Sequence, residues 1–505
     1  MVAHSDAGRL KAGRYTAVML KKIAVATALL VILAATLYQF AGLRVALDGS
    51  GKWPRFVART PDYDALEADR ASQHQRPLPP AADAPVGSAR PEAPPAAVPG
   101  DSAGTAAVVA GALRAVTTPR GYWPDFRGPD RDGRYVETAI RTDWPREGLP
   151  RLWRQPVGLG YASFVVADGR AFTIEQRRQQ EVVAAYDVQT GREVWTSGWE
   201  GEFIEGMGGD GPRATPTYHD GRIYALGALG ELRCLIARTG AIVWRRNILV
   251  ENDAPNLTWG MSAAPLIVDD NVIVLPGGSG GKSVVAYNKG TGEPAWKALD
   301  DRQAYTSPML VTLAGARQIL VVSASRAMGL TPGEGRVLWE YPWSTQMGIS
   351  VAQPLLLGND RVFLSAGYGH GAAVVEVTQT GGRFAARTIW ENLRMKNKFA
   401  SSVLHEGYIY GLDESILACI EAATGELKWK AGRYGYGQIM LAGNHLIVLT
   451  EDGELVLVRA TPERHDEVAR FQAIEGKTWN HPVITDGRLL VRNVREMAAF
   501  DIRAQ

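Results

Sequence analysis

From about residue 150 onward, apolar and polar positions alternate with a period of two in short runs, and Gly, Asp and Thr separate the runs. Such alternation marks antiparallel strands with one face buried, and the separators are tight-turn residues. The stretch from 215 to 244 shows the unit. Runs at 215–218, 222–225, 232–236 and 241–244 are joined by turns around Asp220 and Gly221, Gly230, and Thr239 and Gly240. One phrase punctuates the pattern: an apolar strand, a Thr-Gly turn, then a second strand ending in tryptophan. It appears with Thr190, Gly191 and Trp195, then with Thr239, Gly240 and Trp244, with Thr291, Gly292 and Trp296, and with Thr424, Gly425 and Trp429.

Degraded copies end at Trp339, Trp390 and Phe471, so successive tags lie 39–52 residues apart. Four strands per repeat of that size describe a propeller blade. After Phe471 there is room for three strands and no tagged fourth. An orphan tryptophan strand around Trp153 stands at the front of the pattern. The spacing therefore predicts an all-β fold, an eight-bladed β-propeller of four-stranded antiparallel blades. The strand of Trp153 completes the last blade, so that the ring closes without a free edge. Trp153, Trp195, Trp244, Trp296, Trp339, Trp390 and Trp429 are its expected docking residues.

The front of the chain is different. Residues 1–22 are polar and basic, and residues 23–43 carry no charge. Twenty-odd apolar residues span a bilayer, and the preceding positive cluster keeps the N-terminus cytoplasmic. The apolar run is longer than the core of a cleaved signal peptide, which favours an uncleaved anchor. No cysteine follows it, so a lipoprotein anchor is not expected. Residues 44–76 form a juxtamembrane segment with a small helix expected near 63–70. Residues 77–119 are rich in Pro and Ala, with eight prolines between 77 and 99. That composition predicts a linker, a spacer that lets the propeller of 120–505 stand away from the membrane. Trp123 and Phe126, among Pro and Gly, are expected to pack on the outer face of the ring.

Composition narrows the function classes. The net charge of +2, from 55 basic and 53 acidic residues, gives no pull toward nucleic acid. Cys234 and Cys419 occupy equivalent strands of distant blades and read as buried small hydrophobes rather than a disulfide. Residues 277–283 resemble a phosphate loop, but a strand follows where a helix N-terminus is needed. Gly206 to Gly211 matches a dinucleotide pattern by letter only. Residues 128–139 lack carboxylates at both ends of a calcium loop. The histidines show no metal spacing, and no metal site is expected.

One polar set remains. Residues opening each blade's first strand face the central funnel, and read in phase they include Tyr161, Ser163, Ser350, Ser401, Tyr436 and Gln438. The candidate ligand-binding set is Arg213, Thr215, Trp259, Ser262, Tyr305, Ser307, Gln353, Lys398, Trp479, Asn480 and His481. Polar and aromatic groups converging on one cavity make the default ligand site, while a wide wet channel would need polar lining in any case. No catalytic residue is assigned.

The phrase Asp187, Thr190, Gly191 and Trp195 resembles the tryptophan-docking repeat of the PQQ-like propeller superfamily. The resemblance covers residues 123–505, and the entry around Trp123 and the ending from Asn480 are similar to those of bacterial BamB-like repeat proteins. It implies that each tryptophan stacks on a turn glycine of the next blade. Two functions follow from the resemblance. BamB-type propellers are cofactor-free docking surfaces of envelope complexes, held as lipoproteins. Quinoprotein dehydrogenases of alcohols or sugars hold PQQ with calcium in the funnel and need an acidic base, which the funnel positions do not offer. The expectation is a non-catalytic scaffold without cofactor, anchored in the inner membrane through residues 23–43, with a periplasmic propeller and an envelope protein partner. The alternative is the PQQ-dependent oxidoreductase.

Overall fold

The computed structural model describes residues 6–40, 43–46, 55–58, 63–75 and 121–504; the linker expected at 77–119 lies outside them. Eight sheets of four antiparallel strands follow one another, one of them joined by Arg134–Tyr135 as a parallel fifth strand. Blade 1 covers Val165–Glu200, and blades 2 to 7 follow in chain order to Gln472. Blade 8 takes three strands from Val483–Asp501, and its fourth is Arg151–Pro156. That strand pairs antiparallel with Glu496–Asp501, Trp153 facing Ala499, so the first strand of the pattern completes the last blade.

The apolar faces of the strands meet between blades. Phe172 and Ile174 of blade 1 pack on Ile223 and Leu235 of blade 2; Tyr224 and Cys234 of blade 2 pack on Val272 and Tyr287 of blade 3. Such blade-to-blade clusters form the core. Both cysteines are free and buried.

At the rim, five turn glycines at positive φ, Gly191, Gly240, Gly292, Gly335 and Gly425, approach the indoles of Trp153, Trp195, Trp244, Trp296 and Trp390. A Cβ on any of them would come within 2.5–2.8 Å of a ring atom, so only glycine permits this contact. The indole N–H groups of Trp153, Trp195, Trp244, Trp390 and Trp429 donate to carbonyls of the following blade at 2.8–3.0 Å. Trp339 departs from the pattern: its indole donates to Gln318 of its own blade at 2.5 Å, and Gly381 and Gly382 have nothing near them. The strands Gly371–Thr380 and Arg383–Asn392 of blade 5 are ten residues long, which carries their turn beyond the reach of Trp339. Phe471 is abutted by Gly148, which precedes the strand of Trp153.

Helix α1, Asp6–Phe40, includes Met19–Thr36, long and apolar enough to cross a membrane and exposed throughout. It fits a membrane anchor or a signal. It ends three residues short of the apolar run expected to 43. Leu43–Ala46 instead pairs with Arg55–Ala58. Helix α2, Tyr63–His74, follows.

Trp123 and Phe126 do not pack on the outer face. Residues 121–135 cross the central channel at the end opposite the funnel mouth. Trp123 bridges to Val166 of blade 1 and is 2% exposed, the amide of Tyr218 in blade 2 donates to the carbonyl of Pro124, and Arg134–Tyr135 runs beside blade 7. Two buried arginines pin this plug. Arg131 donates to the carbonyls of Pro308 and Pro265 and to Asp125. Arg127 donates to the carbonyls of Ser402, Ser401 and Asp132 at 2.7, 3.3 and 3.0 Å. Central carbonyls with no partner in a next strand need such donors. Burial pulls Arg127 down to about 10, so it stays charged at neutral pH.

Candidate functional site

Because the plug floors the channel, the funnel is a blind cup of about 340 Å³ with Phe126 in its lining. Arg213, Thr215, Trp259, Ser262, Tyr305, Ser307, Lys398, Trp479 and His481 all line it, as do Tyr161, Ser401 and Gln438. Gln353 and Asn480 do not, and the expectation for these two is corrected. They point along the ring, not into it: the Gln353 side chain accepts from the amide of Ser307 and donates to its carbonyl, and Asn480 donates to the carbonyls of Ala162 and Gly160.

This stitching explains much of the polar set. Thr215 accepts from the amide of Ser163, Ser307 from Ala264 and Ser401 from Gln353, each at 2.9 Å. Ser262 donates to the carbonyl of Tyr305 at 3.2 Å. The innermost strands of neighbouring blades share no sheet, so side-chain oxygens replace the missing ladder. His481 lies between the carbonyls of Pro482 and Ile439; burial and the nearby Arg127 depress it to about 3, so it is neutral.

What remains for a ligand is aromatic and cationic. Tyr161, Trp479, Phe399 and Tyr436 form a chain with ring centroids 5.4, 4.7 and 5.4 Å apart, and Trp259 and Tyr305 face each other at 5.5 Å. Lys398 stands 4.4 Å from the Tyr436 centroid, Lys477 4.0 Å from Trp479, and Arg213 5.3 Å from Tyr161. Arg213 donates to the carbonyls of Gly211 and Gly209, both at 2.7 Å, and burial lowers its pKa. Burial raises Tyr161 and Tyr305, and raises Tyr436 to about 12, so these hydroxyls stay protonated. None of the described lining residues is an acid. Glu205 and Glu451 lie just outside and are engaged, accepting from the amides of Met207 and Gly208 and from the indole of Trp479.

The sequence reading missed Phe126, Met207, Met347, Tyr368 and Phe399 of the lining, and Lys477, which stacks on Trp479 beside it. Lys477 and Phe399 had a signal, standing in the stretches that carry Trp479 and Lys398. Met207, Met347 and Tyr368 come from loops that carry no period.

A planar, anionic, aromatic molecule suits cations held over rings. The PQQ and calcium pair is a poorer fit. Calcium takes several carboxylate or carbonyl oxygens, the lining offers no carboxylate, and no group of three or more His, Cys, Asp or Glu among the described residues could hold a metal.

A family model described as outer membrane protein assembly factor BamB matches residues 178–431. Among curated relatives, the outer membrane protein assembly factor BamB of Burkholderia pseudomallei is 24% identical over 368 residues, 64% of this chain and 91% of that protein. The 1-butanol dehydrogenase (cytochrome c) of Thauera butanivorans is 31% identical over 164 residues, 32% of this chain and 23% of that protein. The quinohemoprotein alcohol dehydrogenase of Comamonas testosteroni superposes with a TM-score of 0.57 at 14% identity, covering 78% of this chain and 82% of that one; this likeness concerns the fold. The chain belongs to the PQQ-repeat, BamB-like family of β-propellers.

Proposed function

We propose, with membership of that family as the premise, that the protein is a non-catalytic binding and scaffold module of the bacterial cell envelope. In this reading α1 is retained as a single-pass inner-membrane anchor, the propeller lies in the periplasm, and a second envelope protein docks on the loops around the funnel mouth. The observation that carries the reading is the cup's chemistry. Its lining has no carboxylate to take a hydroxyl proton, whereas its mouth presents Met207 and Met347, 44% and 58% exposed. Adaptable apolar side chains at a rim suit protein contact better than solvent. The match to BamB along most of that relative's length supports the same reading.

A photo-crosslinking residue at Met347, in the protein at its native level, tests it. One dominant adduct with an envelope protein is expected. Absence of any protein adduct, together with tight calcium-dependent binding of PQQ by calorimetry, would overturn it.

The second reading is a quinoprotein-type oxidoreductase, favoured by Arg213, Lys398 and Lys477 over aromatic rings. The same calorimetric titration decides it: PQQ binding with dye-linked oxidation of alcohols or sugars supports the enzyme, and no binding removes it.

A further inference from the structure

Helix α2 precedes the Pro/Ala-rich stretch in the chain, yet it lies on the propeller. Leu66, Arg70 and Gln73, spaced for one helix face, are 4–6% exposed. The face covers the place where the ring closes. Arg70 donates to the carbonyl of Pro156 at 2.5 Å, stands 3.4 Å from the Glu193 carboxylate and lies over the Tyr186 ring. The first contact is on the closing strand of blade 8, and the other two are on blade 1. Gln73 also reaches both, donating to Gln155 and accepting from the amide of Glu193, each at 3.0 Å.

Beneath the helix is a buried ionic cluster. Arg177 pairs with Glu175 and Glu193, both at 2.5 Å, and Tyr186 donates to Glu175. Burial works against ionised Glu175, but Arg177, Arg492 and Arg70 outweigh it and hold the carboxyl below its usual range. Arg70 therefore supplies a charge that buried carboxylates need, and a buried pair missing one partner is costly.

At its other end α2 meets Arg178, which pairs with Asp64 and Glu67 at 2.7 Å. Arg178 lies between the strands Arg170–Arg177 and Gln180–Asp187. In an antiparallel blade that turn is on the same side of the ring as the loop of Met207, the funnel side. The helix thus begins at the funnel rim. Leu43 pairs with Ala58, so chain length alone limits the separation of Phe40 and Tyr63 to about 30 Å plus one ladder spacing of about 5 Å.

We propose that α2 is a clasp. It docks in cis across blades 8 and 1, joins the membrane anchor to the funnel-side rim through a short connection, and leaves residues 76–120 to connect two points that both lie on the propeller. This gives the Pro/Ala-rich stretch a different role from the spacer its composition suggests. The proposal rests on the reading of α1 as a retained anchor.

A protease site placed after Gly100 in the full-length protein in membranes tests it. If the stretch is the tether, the cut frees the propeller. If α2 is the clasp, the cut propeller stays in the membrane pellet, and Arg70→Ala moves it to the supernatant at least tenfold faster. Equal release of both cut proteins would overturn the clasp. In parallel, Gln73→Cys with Gln155→Cys should cross-link through a short bis-maleimide in most molecules. Failure to cross-link above the level of either single variant would overturn the clasp as well. An uncut protein that leaves the membrane in carbonate would instead sink the anchor reading, and the cross-link would still decide the clasp.

Discussion

At one end of the central channel the innermost strands surround an aromatic cup; at the other, residues 121–135 cross the opening and close it. Both ends hold arginines, fully buried at the plug and partly buried at the cup, but they use them differently. Arg127 and Arg131 direct their donors at carbonyls of central strands from blades 3, 4 and 6. At the cup, Lys398, Lys477 and Arg213 stand over ring faces, and Arg213 bonds only to its own loop. The plugged end satisfies backbone groups that the blades leave open. At the cup end Thr215, Ser307, Gln353 and Ser401 do most of that work, and of the cations Lys477 adds one bond, to the carbonyl of Gly208 at 2.6 Å. Similar residue types thus lie chiefly among carbonyls at one mouth and chiefly against aromatic rings at the other.

The largest expected break of this contrast is Arg127→Ala. Hydrogen bonds from a charged donor are worth about 1.5–3 kcal/mol each, so losing those to Ser401 and Ser402 should cost about 3–6 kcal/mol. Denaturant unfolding of the detergent-solubilised protein would read it, and a loss below about 1 kcal/mol would show that the plug is dispensable. Next in size is a pH effect at His481, which packs edge-on to Phe126 of the plug. Its folded pKa is about 3 against an ordinary value of 6.5, so between these values the unfolded state binds more protons. Stability from this group is complete above pH 6.5 and is lost as the pH falls toward 3, by about 2 kcal/mol at pH 5. The melting temperature of the native protein should fall more steeply between pH 7 and 5 than that of His481→Gln; parallel curves would remove the effect. The smallest change belongs to the open mouth. Lys398→Ala should alter stability by less than about 1 kcal/mol, and a loss rivalling that of Arg127→Ala would erase the distinction.

What could be read in the sequence follows the same division. Blade number, closing strand and cup wall come from features that repeat, and a period of two with a tagged tryptophan survives even the weak copy at Phe471. Gln353 and Asn480, expected in the cup, stand just before the first strands of blades 5 and 8 and outside it, because neighbouring backbone groups engage their amides. Trp339 kept its tag after its neighbour's turn had moved out of reach. The plug has no period at all. Trp123 and Phe126 among Pro and Gly read as an irregular entry packed on the outer face, and nothing in the pattern marks Arg127, whose role depends on carbonyls of blade 6. The docking of α2 was equally hidden, since Leu66, Arg70 and Gln73 mark a buried face without naming what buries it.

The closing strand also sets a timetable. Arg151–Pro156 leaves the ribosome some 340 residues before Glu496–Asp501, its sheet partner. At about 5–20 residues per second, it waits for roughly 20–70 s with an unpaired edge. If α1 leads the chain into the envelope, seven blades arrive before the eighth can form, and the ring stays open until synthesis ends. Factors that shield nascent chains during export would matter more to this protein than to one whose strands pair as they emerge.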